Sequence, residues 1–320
     1  MTKEFSRSLG GVLEMKITVA IPCYNESITI AKVIRDFKHE LPEARIIVLD
    51  NLSTDRSGEL AKNAGAEVFP VCVQGKGNVV RTLFRDFDSD VYILVDGDDT
   101  YPATVVHSLL KPICTHKADM VVGDRLSNGT YANENKRRFH NFGNALVCKL
   151  VNFSFHSNLH DIMSGYRAFS SRFARCVPVL SSGFEVETEM TISCLDRRLP
   201  IIEIPIDYRD RPAGSFSKLN TIQDGCRVLR TIMRILRDFR PLFFFGVLSA
   251  GAFLLSILSG LPVVLEFLRT GWVSHVPLAI LATGLMIVSG LLLTCALILN
   301  TLVMHERQRN EMEILHYRRY

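Results

Sequence analysis

The sequence predicts an α/β domain with a mostly parallel sheet, followed by two helices that cross a membrane. In the first 123 residues, short β-branched runs alternate with helical stretches, which is typical of a parallel sheet covered on both faces. Near the other end, residues 242–265 and 276–304 contain no Asp, Glu, Lys or Arg. A charged fraction of 22% with a mean hydropathy of +0.17 therefore describes a chain of two unlike parts. These features exclude a disordered tail and a small disulfide-stapled module.

The alternation defines the elements of the first part in order. The predicted strands are 17–21, 46–49, 67–71, 91–95 and 120–122. The predicted helices between them are 28–40, 56–64, 77–87 and 103–114. Further along, we expect a helix from 138 to 155, a helix at 185–195 and a strand at 201–206. Because open parallel sheets bind ligands at the carboxyl ends of their strands, the polar residues that follow each strand are the candidates for a site.

Residues 219–240 have the pattern of an amphipathic helix that lies in the membrane interface. Its arginines recur every three or four residues on one side, while apolar residues occupy another. These arginines are Arg227, Arg230, Arg234, Arg237 and Arg240. Such cations would meet anionic headgroups, so the net charge of +4 points to membrane lipids and not to nucleic acid. A solvated helix on the surface of the domain is the alternative.

The two uncharged runs are long enough to span a membrane. At about 1.5 Å per helical residue, each exceeds the roughly 30 Å of a hydrocarbon core. Two buried core helices are the alternative, which the apolar character of every face disfavours. Arginines precede the first run and follow the second, whereas the connection between them holds only Arg269. The positive-inside rule therefore predicts that both long ends are cytoplasmic.

Together, these segments predict four parts: a cytoplasmic domain at 1–218, the interfacial helix at 219–240, the anchor at 241–305 and a cytoplasmic tail at 306–320. We expect no cleavable signal peptide, because the early apolar stretch at 17–21 is too short. The eight cysteines are scattered without a CxxC pair, which favours reduced structural thiols.

Acidic loops follow three of the predicted strands. Glu26 follows the first, Asp50 the second, and Asp96-Gly97-Asp98 the fourth. Carboxylate oxygens are the ligands that Mg²⁺ and Mn²⁺ prefer, usually together with substrate phosphate oxygens. A DxD triplet is weak by itself, since a turn or helix cap has the same composition, but its place at a strand end favours a site for a diphosphate and a metal.

The Gly75-Lys76-Gly77 turn precedes a predicted helix but matches neither the dinucleotide fingerprint nor the Walker A spacing. A dinucleotide-binding site and a P-loop ATPase are therefore not indicated. Lys76 could reach a phosphate, and a surface turn lysine is the alternative.

Five short motifs occur along the chain in an order that identifies a family resemblance. They are 21–26 (IPCYNE), Asp50 with Asn51, 96–98 (DGD), 164–167 (SGYR) and 211–218 (RPAGSFSK). This order resembles that of family 2 glycosyltransferases acting on polyprenyl phosphate, such as dolichol-phosphate mannose synthase and bacterial polyprenyl-phosphate glucosyltransferases. The resemblance covers about residues 16–219. It implies a GT-A fold, a nucleotide-sugar donor, a polyprenyl phosphate acceptor and Mg²⁺ or Mn²⁺.

The resemblance also implies roles for individual residues. The donor would be bound by Pro22, Tyr24, Glu26, Asp50, Asn51, Lys76, Asp96, Gly97 and Glu187. The metal ligands would be Asp96 and Asp98, and the residues acting in transfer would be Asp98, Arg125, Arg211 and Lys218. The acceptor phosphate would be bound by Arg138, Ser164, Arg167 and Ser217.

Several of these residues have a structural alternative. Tyr24 could cap the first strand, Asp50 could be a turn residue, and Arg167 could pair with a buried carboxylate such as Asp161. Glu187 and Glu189 occupy the position of a donor-site acid in relatives, yet exposed charges on a helix face have the same pattern. Two departures from relatives, Thr100 for a common Gln and Gly97 for a common Ala, leave the donor sugar open.

The expected reaction is an inverting transfer of a hexose or N-acetylhexosamine to polyprenyl phosphate. A phosphate monoester has a second pKa near about 6, so the acceptor is an ionised nucleophile at neutral pH and needs no strong base. UDP-glucose and UDP-N-acetylglucosamine are the expected donors, with GDP-mannose as the alternative. The acceptor is undecaprenyl or dolichyl phosphate, and the expected location is the plasma membrane of a prokaryote. A homo-oligomer is compatible with the sequence and not required by it.

Two other functional classes share parts of this pattern. A processive polysaccharide synthase would carry a Gln-x-x-Arg-Trp motif, which is absent because the single tryptophan, Trp272, lies in the predicted connection between the spans. A catalytically silent scaffold that binds a nucleotide sugar remains an alternative, although the intact acidic loops disfavour it.

Overall fold

The computed structural model describes residues 15–128, 138–183, 185–209, 230 and 233–317. For 138–144 and 313–317 it describes the backbone alone. The chain divides into two compact units near residue 225, and each is described by itself.

The first unit contains a seven-stranded sheet. Its strands are β1 (Ile17–Cys23), β2 (Arg45–Asp50), β3 (Glu67–Pro70), β4 (Val91–Leu94), β5 (Met120–Asp124), β6 (Arg167–Ser170) and β7 (Ile201–Pro205). Their spatial order is β3-β2-β1-β4-β6-β5-β7. β6 runs antiparallel to both of its neighbours, β4 and β5, whereas the other pairs are parallel. The predicted α/β class with a mostly parallel sheet is confirmed.

Helices connect these strands. They are α1 (Ile30–Glu40), α2 (Ser57–Asn63), α3 (Lys76–Asp86), a 3₁₀ turn (Ala103–Val105), α4 (Val106–Cys114), α5 (Arg138–Phe155), α6 (Ser171–Cys176) and α7 (Val186–Asp196). The sequence did not predict β6 or α6. β6 is short and begins with an arginine, which hides the apolar pattern of a buried strand.

The main core lies between the central strands and the helices α1 and α4. On α1 the buried residues are Ile30, Val33, Ile34 and Phe37, which recur at the spacing of a single helix face. β1 is paired along both edges, by β2 and by β4, and its residues Thr18 to Ile21 are all buried, as expected for a central strand of a sheet covered on both faces. This packing fixes the positions of the strand ends, and the polar loops begin at those ends.

The second unit contains two long helices, α8 (Pro241–Thr270) and α9 (Val276–Tyr317). Both are long and apolar enough to cross a membrane. A helical segment over 233–239 precedes them and covers part of the predicted interfacial helix, whose residues 219–229, 231 and 232 lie outside the described ones. α9 continues past residue 305, so part of the segment predicted as a tail extends the second helix.

Candidate active site

Two loops at the carboxyl ends of β1 and β2 are joined to each other. The Asn25 side-chain oxygen accepts a hydrogen bond from the Thr54 amide at 2.7 Å, and the Glu26 amide donates to the Ser57 hydroxyl at 2.8 Å. Asn25 has a φ of 54°, a left-handed conformation that asparagine tolerates. The loops that carry Pro22, Tyr24, Glu26 and Asp50 are thereby held at one edge of the sheet.

Asp50 is the last residue of β2 and Asn51 follows it, and their side chains make different contacts. Asp50 is half-buried, and one of its oxygens accepts from the Ser53 amide at 3.0 Å. Asn51 is buried, and its amide group bonds the backbone of the following segment: Nδ2 donates to the carbonyls of Val71 and Val73, and Oδ1 accepts from the Gly75 amide at 2.6 Å. The side-chain polar atoms of Asn51 thus hold the turn before α3, and its contact with the donor stays a prediction.

That turn depends on its glycines. Gly75 has a φ of 128°, and a methyl group on Gly77 would lie 2.0 Å from the carbonyl oxygen of Ser181. The Gly77 amide donates to the carbonyl of Ser182 at 3.0 Å. Only glycine permits this close approach of the two backbones, which places Lys76 at the first position of α3.

Lys76 lies between two carboxylates. Its Nζ is 2.5 Å from Asp96 Oδ1 and 2.6 Å from Glu187 Oε1. The side chain of Lys76 is 7% exposed and that of Glu187 is 6% exposed, whereas Asp96 keeps contact with solvent. The alternative of a surface lysine is thus wrong. Helix α3, the loop after β4 and helix α7 contribute one residue each to this group, which we call the Lys76 cluster.

The charges of the Lys76 cluster are not balanced within it. Burial alone would lower the pKa of Lys76, but the charges of Asp96 and Glu187 outweigh burial and raise it, so the lysine stays protonated. One cation then faces two carboxylates. Among the described residues, Glu187 Oε2 is buried and has no hydrogen-bond partner. A buried acceptor without a donor costs about 1–3 kcal/mol, which a ligand hydroxyl could recover.

Gly165 closes the cluster from the side of β6. A methyl group on Gly165 would lie 2.4 Å from Asp96 Oδ2 and 2.9 Å from Lys76 Nζ. The Gly165 amide donates to the hydroxyl of Tyr101 at 3.0 Å, and burial raises the pKa of Tyr101 to about 12. Gly165 is therefore a residue of the site, although the sequence indicated it only as part of the 164–167 motif.

Asp98 lies deeper than Asp96. It is buried, and its Oδ1 accepts from the hydroxyl of Thr100 at 2.6 Å. The carbonyl of Gly97 accepts from the Thr29 hydroxyl at 2.6 Å, which fixes the turn between the two aspartates. The pair supplies carboxylate oxygens at a strand end, a donor set that suits Mg²⁺ or Mn²⁺. Thr100, which replaces a common Gln, orients Asp98.

Arg125 is paired with Asp161. Its Nε and one terminal nitrogen donate to the two carboxylate oxygens at 2.7 and 2.9 Å, and its guanidinium lies 5.7 Å from the ring centre of Tyr208. Burial raises the pKa of the Asp161 carboxyl, but the charge and hydrogen bonds of Arg125 outweigh it and the net shift is downward. Asp161 was named only as a partner for Arg167, so its role here is a finding of the structure.

Two of the predicted acceptor residues are in the core. Arg167 is fully buried in β6 and donates to the carbonyls of Ser164 and Ile162 and to the hydroxyl of Thr191. Ser164 is fully buried as well, and its hydroxyl accepts from the Tyr166 amide. The prediction that these residues bind an acceptor phosphate is wrong in this structure, because neither side chain is accessible and the guanidinium of Arg167 donates its hydrogen bonds to groups of the protein.

Arg211, Ser217 and Lys218 lie outside the described residues, and Arg138 begins α5 with its backbone alone described.

This chain is similar to known proteins in sequence and in fold. Glycosyltransferase AglJ of Haloferax volcanii is 36% identical over 234 residues, which cover 72% of this chain and 75% of the relative. A dolichyl-phosphate hexose transferase of the same organism is 29% identical over 68% of this chain and 93% of its own length. Glucosyl-3-phosphoglycerate synthase from Mycobacterium tuberculosis, solved with Mn²⁺ and UDP-glucose, superposes with a TM-score of 0.57 at 21% identity, over 74% of this chain and 82% of that one.

The structural likeness establishes the GT-A fold, and the sequence match establishes the family. The profile described as glycosyl transferase family 2 spans residues 18–177, from β1 through the Lys76 cluster residues Lys76 and Asp96 to the end of α6. Since this match covers half of the chain and the AglJ relative extends it, the chain belongs to glycosyl transferase family 2.

Proposed function

We propose that the chain transfers a hexose or N-acetylhexosamine from a nucleotide sugar to polyprenyl phosphate, with inversion at the anomeric carbon. The Lys76 cluster is the observation that carries this proposal. It sets a buried carboxylate oxygen without a partner, Glu187 Oε2, next to Asp96 at the strand ends where ligands of α/β sheets bind. A sugar hydroxyl is a donor of the kind that this oxygen lacks.

The donor is proposed from the family and from the site. The M. tuberculosis structure was solved with UDP-glucose, which supports a UDP-linked donor here. We therefore place UDP-glucose and UDP-N-acetylglucosamine first and GDP-mannose as the alternative. Pro22, Tyr24, Glu26 and Asp50 lie on loops that would hold the nucleoside, while Asp96 and Gly97 lie where the diphosphate would pass.

A divalent cation, Mg²⁺ or Mn²⁺, would be held by Asp98 and Asp96. Bound there, it would offset the negative charge of the diphosphate. Two neighbours position these carboxylates: the Thr100 hydroxyl bonds Asp98, and Lys76 Nζ bonds Asp96. Arg125, held by Asp161, presents a fixed positive charge toward the phosphates, and Arg211 and Lys218 are proposed to add further charge.

The acceptor is proposed to be a lipid phosphate. The relative from H. volcanii is named for dolichyl phosphate, and α8 and α9 are long enough to hold the chain in a membrane, where such a lipid resides. Its phosphate is already ionised near neutral pH, so positioning and electrostatics would suffice without a general base. We place the catalytic unit on the cytoplasmic side of a prokaryotic plasma membrane, with the arginine-rich segment 219–240 near the headgroups.

A panel of labelled donors tests the proposal. The full chain in liposomes is given labelled UDP-glucose, UDP-N-acetylglucosamine or GDP-mannose with undecaprenyl or dolichyl phosphate, and label is counted in the lipid extract. We expect one donor to yield a lipid that mild acid cleaves. The Asp98→Asn variant should lose at least about 100-fold in rate.

Asp99→Asn is the matched control. Asp99 belongs to the same acidic run but pairs with Lys32 at 2.7 Å and has a φ of 60°, which asparagine accepts. It should keep most of the activity. Label in water-soluble product only, no transfer from any donor, or full activity of Asp98→Asn would contradict the proposal.

A further inference from the structure

A second group of ligand-type side chains lies on β5, β7 and the segment before β6, none of which contributes a residue to the Lys76 cluster. It consists of Asp124 on β5, Glu203 on β7 and His160 in the segment between α5 and β6. β5 and β7 pair in parallel, with Asp124 opposite Pro205 and Val122 opposite Glu203. Because side chains alternate along a strand, Asp124 and Glu203 point to the same face of the sheet.

The distances within this group are those of ligands around a small cation. His160 Nδ1 lies 3.6 Å from Asp124 Oδ2 and 3.6 Å from Glu203 Oε2, and all three ligand atoms lie within 4.8 Å of one another. A hydrogen bond of this type would be about 2.7–3.2 Å, so the ring does not bond either carboxylate. Two ligands about 2.1 Å from a tetrahedral Zn²⁺ are separated by about 3.4 Å.

Further contacts hold the ligands in place. Both oxygens of Glu203 accept from the His160 amide, at 2.9 and 2.8 Å, and Oε1 also accepts from the Asp161 amide at 2.8 Å. Asp124 Oδ1 accepts from the Leu126 amide at 2.8 Å, and its Oδ2 bonds the hydroxyl of Ser127. Outer contacts of this kind orient metal ligands and are part of a built site.

The charges of this group also favour a bound cation. The side chain of Asp124 is 1% exposed and that of Glu203 is 11% exposed. Within the described ranges, neither carboxylate has an ion pair with a lysine or arginine, and the neighbouring Arg125 is bound to Asp161. Two buried carboxylates side by side are costly unless a positive charge is near. His160 is 59% exposed, which leaves a route from solvent to the group.

We propose that Asp124, His160 and Glu203 bind a divalent transition-metal cation of the Zn²⁺ type, with water completing its coordination. An imidazole nitrogen with two carboxylate oxygens is a ligand set that favours such a cation over Mg²⁺. The site is separate from the Asp96 and Asp98 pair, whose ligands are oxygens alone. A cation here would join β5 and β7 to the segment that carries Asp161, and so would support the position of Arg125.

Cobalt absorption tests this site without any measurement of activity. The full chain in detergent is freed of metal with a chelator and titrated with Co²⁺, which gives strong visible absorption when its coordination is tetrahedral. We expect one such Co²⁺ per chain, displaced by Zn²⁺. His160→Gln should weaken binding by at least about 10-fold. The variant should fold, because the ring of His160 is exposed and its backbone amide, which bonds Glu203, is unchanged.

Two variants distinguish this site from other metal binding. His156→Gln removes an exposed histidine of the same segment and should leave the absorption unchanged. Asp98→Asn removes the proposed donor-site ligand and should also leave it unchanged, so this result is independent of the proposed function. No tetrahedral absorption in the wild type, equal absorption in His160→Gln, or loss of it in Asp98→Asn would overturn the proposal.

Discussion

At Lys76, one buried ammonium group holds two carboxylates at hydrogen-bonding distance. The pKa of this lysine is raised by Asp96 and Glu187 despite its burial. A raised pKa in the folded state means that the lysine contributes its full stability below its unfolded value of about 10.4 and loses it only as pH rises through the folded value. Lys76 therefore stays protonated throughout the physiological pH range.

Replacing Lys76 by methionine should destabilise the catalytic unit. The change leaves Asp96 and Glu187 close together without their cation, and removing one partner from a buried ion pair costs about 3–5 kcal/mol. Thermal unfolding of the full chain in detergent measures the effect. Lys32→Met is the matched control, since Lys32 is exposed and its pairs with Asp36 and Asp99 are worth at most about 1 kcal/mol. Equal losses in the two variants would contradict this account.

Arg125 and Arg167 show how neighbours decide the role of a residue type. Both follow motifs typical of the family, and both were predicted to act on phosphates. Arg167 lies in β6, and its guanidinium is enclosed by the carbonyls of Ser164 and Ile162 and by Thr191 of α7. Arg125 follows the last residue of β5, and its side chain keeps some exposure while Asp161 fixes its direction. One is a core residue and the other remains a proposed site residue.

At the scale of elements, the segment 179–181 is hydrogen-bonded both to α3 and to α7. The Arg81 guanidinium donates to the carbonyls of Val179 and Leu180, both at 2.8 Å, and the Glu189 carboxylate accepts from the amides of Leu180 and Ser181 at 2.9 and 2.8 Å. Glu189 therefore holds this segment, while Glu187, two residues earlier, enters the Lys76 cluster. The sequence placed both acids on one helix but could not separate these roles.

Helices α8 and α9 are joined by hydroxyl groups. Ser249 donates to the Ser289 carbonyl at 2.9 Å and Ser289 donates to the Ser249 carbonyl at 3.0 Å. Ser256 donates to the Ala282 carbonyl at 2.8 Å. Small residues at such contacts allow two helices to approach closely in an apolar medium. The two helices thus form a pair and are not independent spans.

Ser249→Ala should weaken this helix pair by about 0.6 kcal/mol, the average for a hydrogen bond between membrane helices. Ser259→Ala should have a smaller effect, because the Ser259 hydroxyl bonds carbonyls of its own helix at Leu255 and Ser256. The midpoint of unfolding by SDS in mixed micelles, followed by circular dichroism, measures both variants. The same shift in the two would show that the bonds between the helices contribute nothing specific.

At the scale of the whole molecule, the distribution of arginine predicts the orientation in the membrane. The connection between α8 and α9 should face the side opposite the catalytic unit. A cysteine placed there by Ser274→Cys should react with a membrane-impermeant maleimide in intact cells. Cys72, which is exposed in the catalytic unit, serves as the internal control and should react only after the membrane is opened. Labelling of Cys72 in intact cells would contradict this orientation.

Local patterns in the sequence determined much of this protein. The apolar runs of β1, β2 and β4, the face of α1 and the uncharged lengths of α8 and α9 are all set by residues close in the chain, so periodicity and hydropathy predicted them. The order of five motifs predicted the family. The positions of Asp50, at the end of β2, and of Asp96, just after β4, were predicted for the same reason, because a strand ends where its apolar run ends.

The tertiary structure alone decided which polar groups meet. Lys76, Asp96 and Glu187 are distant in sequence, and so are Arg125 and Asp161. Burial of Arg167 follows from the packing of α7 and the segment before β6 over its guanidinium. The grouping of Asp124 with Glu203 follows from the register of β5 and β7. Periodicity reports which face of an element is buried, whereas the partner of a charged group depends on distances that only the packed chain sets.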